Sequence, residues 1–188
     1  MNMKKRMLSI VLSGAMAVST AVSAGSFSAF AVAQCVAYSG SNVNDQDYVQ
    51  WSDTVKSYLT VCDNGNYMRV QSGAIKGKLL VEYYSSDFEP LSTKLIDNEL
   101  PIFGAFYDSG NNYYVLSGQE NPKQNDSLEV FRITKYDKNW NKIKSCGLYG
   151  ANTTVPFDAG SARMTHSGDH LLVRTCHEMY KSSDGNNH

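Results

Sequence analysis

The 188-residue chain lacks most of the motifs that would mark it as an enzyme. No G-x-S-x-G elbow, HExxH pair, P-loop or dinucleotide fingerprint occurs, so the sequence signatures of serine nucleophiles, zinc peptidases and phosphate-cradling loops are missing. Its four cysteines, Cys35, Cys62, Cys146 and Cys176, are spaced far too widely for a C-x-x-C knuckle. A zinc site of that kind is therefore excluded, and buried thiols or one or two disulfides remain, with three pairings open. Basic residues form no patch and no Lys/Arg-rich helix, which removes the electrostatic basis for nucleic-acid or membrane-surface binding. Apolar residues at helical spacing are almost absent beyond the N-terminal region, which leaves an all-β chain.

The N-terminal region reads as an export signal over residues 1–33. Lys4, Lys5 and Arg6 form the positive start, Met7 to Val22 the apolar stretch, and Ala29-Phe30-Ala31 or Ala31-Val32-Ala33 a small-residue cleavage site. Ser9, Ser13, Gly14, Ser19 and Thr20 dilute a segment already short for a bilayer span. Gln34 stands before Cys35 where a lipobox needs Ala or Gly, so lipidation is not expected. Removing the three basic residues leaves 14 against 18 acidic ones, a formal charge of about −4 in the exported part. A bacterial protein secreted or held at the cell surface follows, with a signal-peptide helix at 1–33, a linker at 34–54 and a folded part at 55–188.

What is present is a repeated phrase. Asp63-Asn64-Gly65-Asn66-Tyr67-Met68-Arg69-Val70, Asp108-Ser109-Gly110-Asn111-Asn112-Tyr113-Tyr114-Val115 and Thr165-His166-Ser167-Gly168-Asp169-His170-Leu171-Leu172-Val173 each set a polar glycine turn before an apolar strand. Recurrence at a spacing of about 45–60 residues in an all-β chain is the pattern of propeller blades. Strands are expected near 58–62, 67–71, 79–84, 92–96, 102–107, 113–118, 128–136, 142–148, 159–165 and 171–178, short, rich in Val, Ile, Tyr and Phe, and bounded by Gly/Asn/Asp/Ser turns. Grouped in fours they give blades at 55–97 and 99–149 and a third, truncated one at 155–188. Tyr84-Ser85-Ser86-Asp87-Phe88 aligns on Tyr136-Asp137-Lys138-Asn139-Trp140, a tyrosine, a polar turn and an aromatic that packs back. About two and a half blades are fewer than a closed ring needs. The expectation is thus a partial β-propeller from a longer protein, and the alternative is a β-sandwich.

The candidate binding residues lie in the last quarter. Asp158, Arg163 and His166 fall on the expected innermost strand of the third blade, where alternate side chains face a channel and an arginine can fork an anion. His177 and Glu178, in Thr175-Cys176-His177-Glu178-Met179-Tyr180, form the densest chemical phrase at a strand end, with Tyr180 beside them. His170 and His177 are seven residues apart on one expected strand, so alternation points them to opposite faces and disfavours a shared metal. Asp137-Lys138-Asn139-Trp140-Asn141 starts like a calcium loop, but Lys142 and Leu148 occupy the positions that need Gly and Glu, so an EF-hand is excluded. Ser182-Ser183-Asp184-Gly185-Asn186-Asn187 resembles the start of an Asp-box turn, with Asn186 in place of the motif's glycine. No cofactor or metal is expected.

The stretch Leu128 to His188, with Val130-Phe131-Arg132-Ile133-Thr134-Lys135-Tyr136-Asp137-Lys138-Asn139-Trp140-Asn141, Thr153-Thr154-Val155-Pro156-Phe157-Asp158-Ala159-Gly160 and Cys176-His177-Glu178-Met179-Tyr180, resembles a group of uncharacterised secreted β-propeller-like proteins of gut clostridia. The resemblance implies the fold, export and a propeller that continues past this chain. Two functions are expected from this reading. The first is a binding module for an extracellular protein or glycan, completed by missing blades of the same chain. The second is a fragment of an extracellular propeller enzyme, of sulfotransferase or glycan-cleaving type, acting on an anionic or glycan substrate. Whether the protein is an enzyme is left open.

Overall fold

The structure is a computed structural model and describes residues 54–158, 160 and 162–188. The expected signal segment, Cys35 and all of the 34–54 linker except Thr54 lie outside the described residues. Among the described residues there is no helix, and the chain is all-β.

Two four-stranded antiparallel meanders account for most of it. Sheet A runs β1 (Ser57–Val61), β2 (Tyr67–Ile75), β3 (Lys78–Tyr84) and β4 (Pro90–Asp97) in that spatial order. Sheet B repeats the arrangement with β5 (Ile102–Asp108), β6 (Tyr113–Gly118), β7 (Glu129–Tyr136) and β8 (Lys142–Tyr149). Neither sheet closes on itself. The eight strands expected for the first two units are all present and grouped in fours.

The turns explain why. Four times the chain makes the same five-residue reversal, in which the first N–H donates to the fifth carbonyl and the fourth N–H to the first. The pairs are Cys62/Asn66 and Gly65/Cys62, Ser85/Glu89 and Phe88/Ser85, Asp137/Asn141 and Trp140/Asp137, Ser182/Asn186 and Gly185/Ser182, all at 2.7–3.0 Å. Such a three-residue loop requires a left-handed fourth residue. Gly65 (φ 80°) and Gly185 (φ 81°) adopt it freely, whereas Phe88 (φ 63°) and Trp140 (φ 64°) do so against their own Cβ. Polar side chains secure all four turns from within: Asp137 Oδ1 accepts the N–H groups of Asn139 and Asn141, Ser85 Oγ those of Asp87 and Glu89, Asn64 Oδ1 that of Asn66, and Asp184 Oδ1 that of Asn186.

The aromatic at the fourth position has different fates in the two sheets. Trp140 is buried against Phe106, Tyr113 and Tyr136 of its own sheet, and its indole N–H donates to the Tyr83 hydroxyl of sheet A at 3.0 Å. Phe88 stacks on Tyr67 with ring centroids 4.4 Å apart and stays 59 % exposed.

Sheet A packs one face on sheet B. Met68, Val70, Leu79, Val81 and Ile96 meet Phe103, Phe106, Tyr113, Val115, Tyr136 and Trp140 in one apolar cluster. Tyr58 of β1 places its ring edge against Phe103 and Phe106 at one end of this contact. The other face of sheet B carries a second cluster of Ala105, Leu116, Val130 and Phe131 with Phe157 and Ala162. Sheet B is therefore buried on both sides, which is why β6 reads as a nearly continuous apolar run.

The third unit differs from the expectation. Thr153–Pro156 forms an additional strand, β9, that pairs with β12 (His177–Met179), and β10 (Arg163–Ser167) pairs with β11 (His170–Arg174). The two pairs continue one another as a two-armed ribbon, linked by the Phe157 N–H to the Cys176 carbonyl. The strand expected at 171–178 is thus two strands, separated at Thr175-Cys176, and the strand expected at 159–165 starts at Arg163. Apolar alternation missed the separation because Thr175 and Cys176 themselves suit a strand.

Removing the Trp140 ring is expected to destabilise the fold by about 3–5 kcal/mol, because a buried wedge between two sheets is lost. Phe88→Gly should stay within about 1 kcal/mol of the parent, since a glycine relieves the left-handed backbone while an exposed stack is given up. Denaturant unfolding of W140A and F88G checks both, and equal losses would show that the two turns carry the same load.

Candidate functional site

The face of sheet B that looks away from sheet A joins an apolar cluster around Phe131 and Phe157 to polar and aromatic groups that remain accessible. Three zones follow one another along it, and each is set by which residues lack or possess a side chain.

At one end the ribbon is anchored by Phe157. A Cβ at Gly104 would lie 2.3 Å from the Phe157 ring, and one at Gly118 would lie 2.8 Å from it. The absence of two side chains on β5 and β6 thus makes the hole that the ring fills. Phe157 is left-handed (φ 63°), 3 % exposed, and meets Phe131 edge-on. Asn121, 1 % exposed, ties the long β6–β7 loop to the same place. Its N–H donates to the Thr154 carbonyl at 2.7 Å, its side-chain amide donates to the Tyr180 hydroxyl at 2.9 Å, and its carbonyl oxygen accepts the Asn125 N–H.

In the middle lies an apolar cleft of about 500 Å³. Leu116, Phe131, Ile133, Leu148 and Val173 contribute to its walls, with Arg174, Thr175 and His177 as polar members. The His177 ring stands edge-on to Phe131. Arg174 is exposed and sits directly across from Arg163 in the β10–β11 pair. Like charges in that position repel one another and favour a third, acidic group nearby.

At the other end is an aromatic group. Tyr107 and Tyr114 face each other across β5 and β6 with centroids 6.3 Å apart, and the Tyr107 hydroxyl is hydrogen-bonded to His166 Nδ1 of β10. Lys135 stands over the Tyr114 ring at 5.8 Å. Tyr107 and Tyr114 are half-buried while His166 is exposed, so the group is packed from below and open above.

The six residues expected to carry a site are thereby dispersed. Arg163 and His166 share β10 but lie three positions apart, so they point to opposite faces. His166 meets Tyr107, whereas Arg163 acts electrostatically on Tyr58 and bonds the Ala162 carbonyl. Asp158 is exposed in the turn that leaves β9. His177 and Glu178 are not an acid/base pair: consecutive residues of β12, they diverge, His177 to the cleft and Glu178 to Thr154 Oγ1 and to the Asn187 side-chain amide, 2.7 Å away. Tyr180 is held by Asn121, and loss of solvent together with the neighbouring Asp126 carboxylate raises its hydroxyl pKa. Alternation along β12 would have separated His177 from Glu178 in the sequence. The parts played by Tyr107, Asn121 and Phe157 need the strand register, and only the Asn121-Pro122 turn signal hinted at one of them.

A buried ion pair sits elsewhere, on the far face of sheet A. Glu82, fully buried, accepts from Arg69 Nε at 2.5 Å and from the Gln71 side-chain amide at 3.3 Å. Among the described residues no three His, Cys, Asp or Glu side chains are grouped as a metal site requires. Cys62, Cys146 and Cys176 form no disulfide with one another. No family description matches the chain, and no curated protein and no solved structure matches it either.

Two outcomes follow from this geometry. Cys146 and Cys176 are exposed, whereas burial raises the thiol pKa of half-buried Cys62. Iodoacetamide at mildly alkaline pH should therefore label Cys146 and Cys176 before Cys62, read by peptide mass spectrometry; Cys62 reacting first would contradict its placement. In the Ser182–Asn186 turn, hydrogen bonds from Ser182 and from the Asn186 N–H hold Asp184 down from 3.8 to about 2. A lowered folded-state pKa contributes stability above the unfolded value, and that stability is lost as pH falls through the folded one. The Asn186 amide resonance should accordingly titrate with a midpoint near pH 2, and a midpoint near 3.8 would show that the turn does not hold the carboxylate.

Proposed function

We propose that this chain is an exported binding module of propeller type, acting at or outside the cell surface as part of a longer protein, and that it engages an extracellular protein or glycan through the aromatic end of sheet B. The observation that carries this reading is the Tyr107–Tyr114–His166 group with Lys135 beside it. Half-buried aromatics whose rings are fixed from below offer a rigid stacking platform at little conformational cost. A neighbouring cation and imidazole supply direction to an acidic or hydroxylated ligand.

Several features support the propeller arrangement. Sheets A and B have the same strand order, the same turn geometry and a face-to-face contact. First strands also approach first strands: Tyr58 of β1 packs on Phe103 and Phe106 of β5, and His166 of β10 reaches Tyr107 of β5. A radial stack of like units brings first strands together in this way.

The second reading, an extracellular enzyme acting on an anionic or glycan substrate, draws on one feature. The Tyr107 hydroxyl bonded to His166 Nδ1 is a proton-carrying pair at an open position.

Screening the purified protein against a panel of neutral, sulfated and carboxylated glycans and extracellular matrix proteins tests both. The binding reading expects at least one member to be retained and its affinity to fall about tenfold in Tyr107→Ala and in His166→Ala, roughly 1.4 kcal/mol each. Retention unaffected by both substitutions would remove the aromatic group from the interface. Turnover of a panel member that H166A abolishes would replace the first reading with the second.

A further inference from the structure

We draw no further inference here: the strongest candidate, the outer face of sheet A, where the exposed Leu59, Val61 and Leu95 share a surface with the fully buried Gln71 and Glu82, carries nothing because nothing in the structure shows what covers it.

Discussion

The double burial of sheet B is the constraint from which the rest of this structure follows. A strand with water on one side can alternate apolar and polar residues, but β6 has to present Tyr113 and Val115 to sheet A and Leu116 to the ribbon. Each cover is then fixed by one large aromatic at a left-handed backbone position, Trp140 towards sheet A and Phe157 towards the ribbon. Non-glycine residues hold that conformation only where the surrounding packing stabilises it by more than the backbone strain. Trp140 gains three aromatic neighbours and a hydrogen bond, and Phe157 gains a socket made by Gly104 and Gly118. The two glycines are consequently part of the packing: they are the places on β5 and β6 where a side chain would displace the ribbon.

Much of the first two units was legible because their elements are local. Each strand of sheets A and B pairs with the next in sequence, each turn is marked by Gly, Asn, Asp or Ser, and the lengths are regular. The likeness of Tyr84–Phe88 to Tyr136–Trp140 was readable as a shared turn. That Trp140 is buried between sheets while Phe88 remains on the surface was not, since the difference lies in what is stacked against each. The third unit was harder for a related reason. β9 pairs with β12 across the whole β10–β11 hairpin, and a pairing of that separation leaves no mark on short-range alternation.

The candidate residues show the same division. His166 and Glu178 were singled out for their chemistry, yet their partners come from elsewhere in the fold: Tyr107 and Thr154 from other strands, and Asn187 from the segment after the Ser182–Asn186 turn. His177 and Glu178 looked like a pair because they are adjacent, and adjacency in a strand is what separates two side chains. Asn121 illustrates the opposite case, a loop residue whose backbone N–H bonds β9 while its side-chain amide bonds Tyr180 and the Asn125 N–H of its own loop.

Among the described residues, the β10–β11 arm of the ribbon has little to hold it. β10 and β11 are exposed along most of their length, whereas β2, β3, β6 and β7 are largely buried. Elements with few buried contacts open at lower free energy than the core around them. Here the attachment is concentrated at Phe157 and Ala162 near one end and at the His166–Tyr107 contact near the other, with the apolar cleft between them. The aromatic group at the His166 end is positioned by the same ribbon, so that ordering of β10 and β11 also steadies the Tyr107–His166 contact. Whatever holds β10 and β11 in place therefore also holds the imidazole over sheet B.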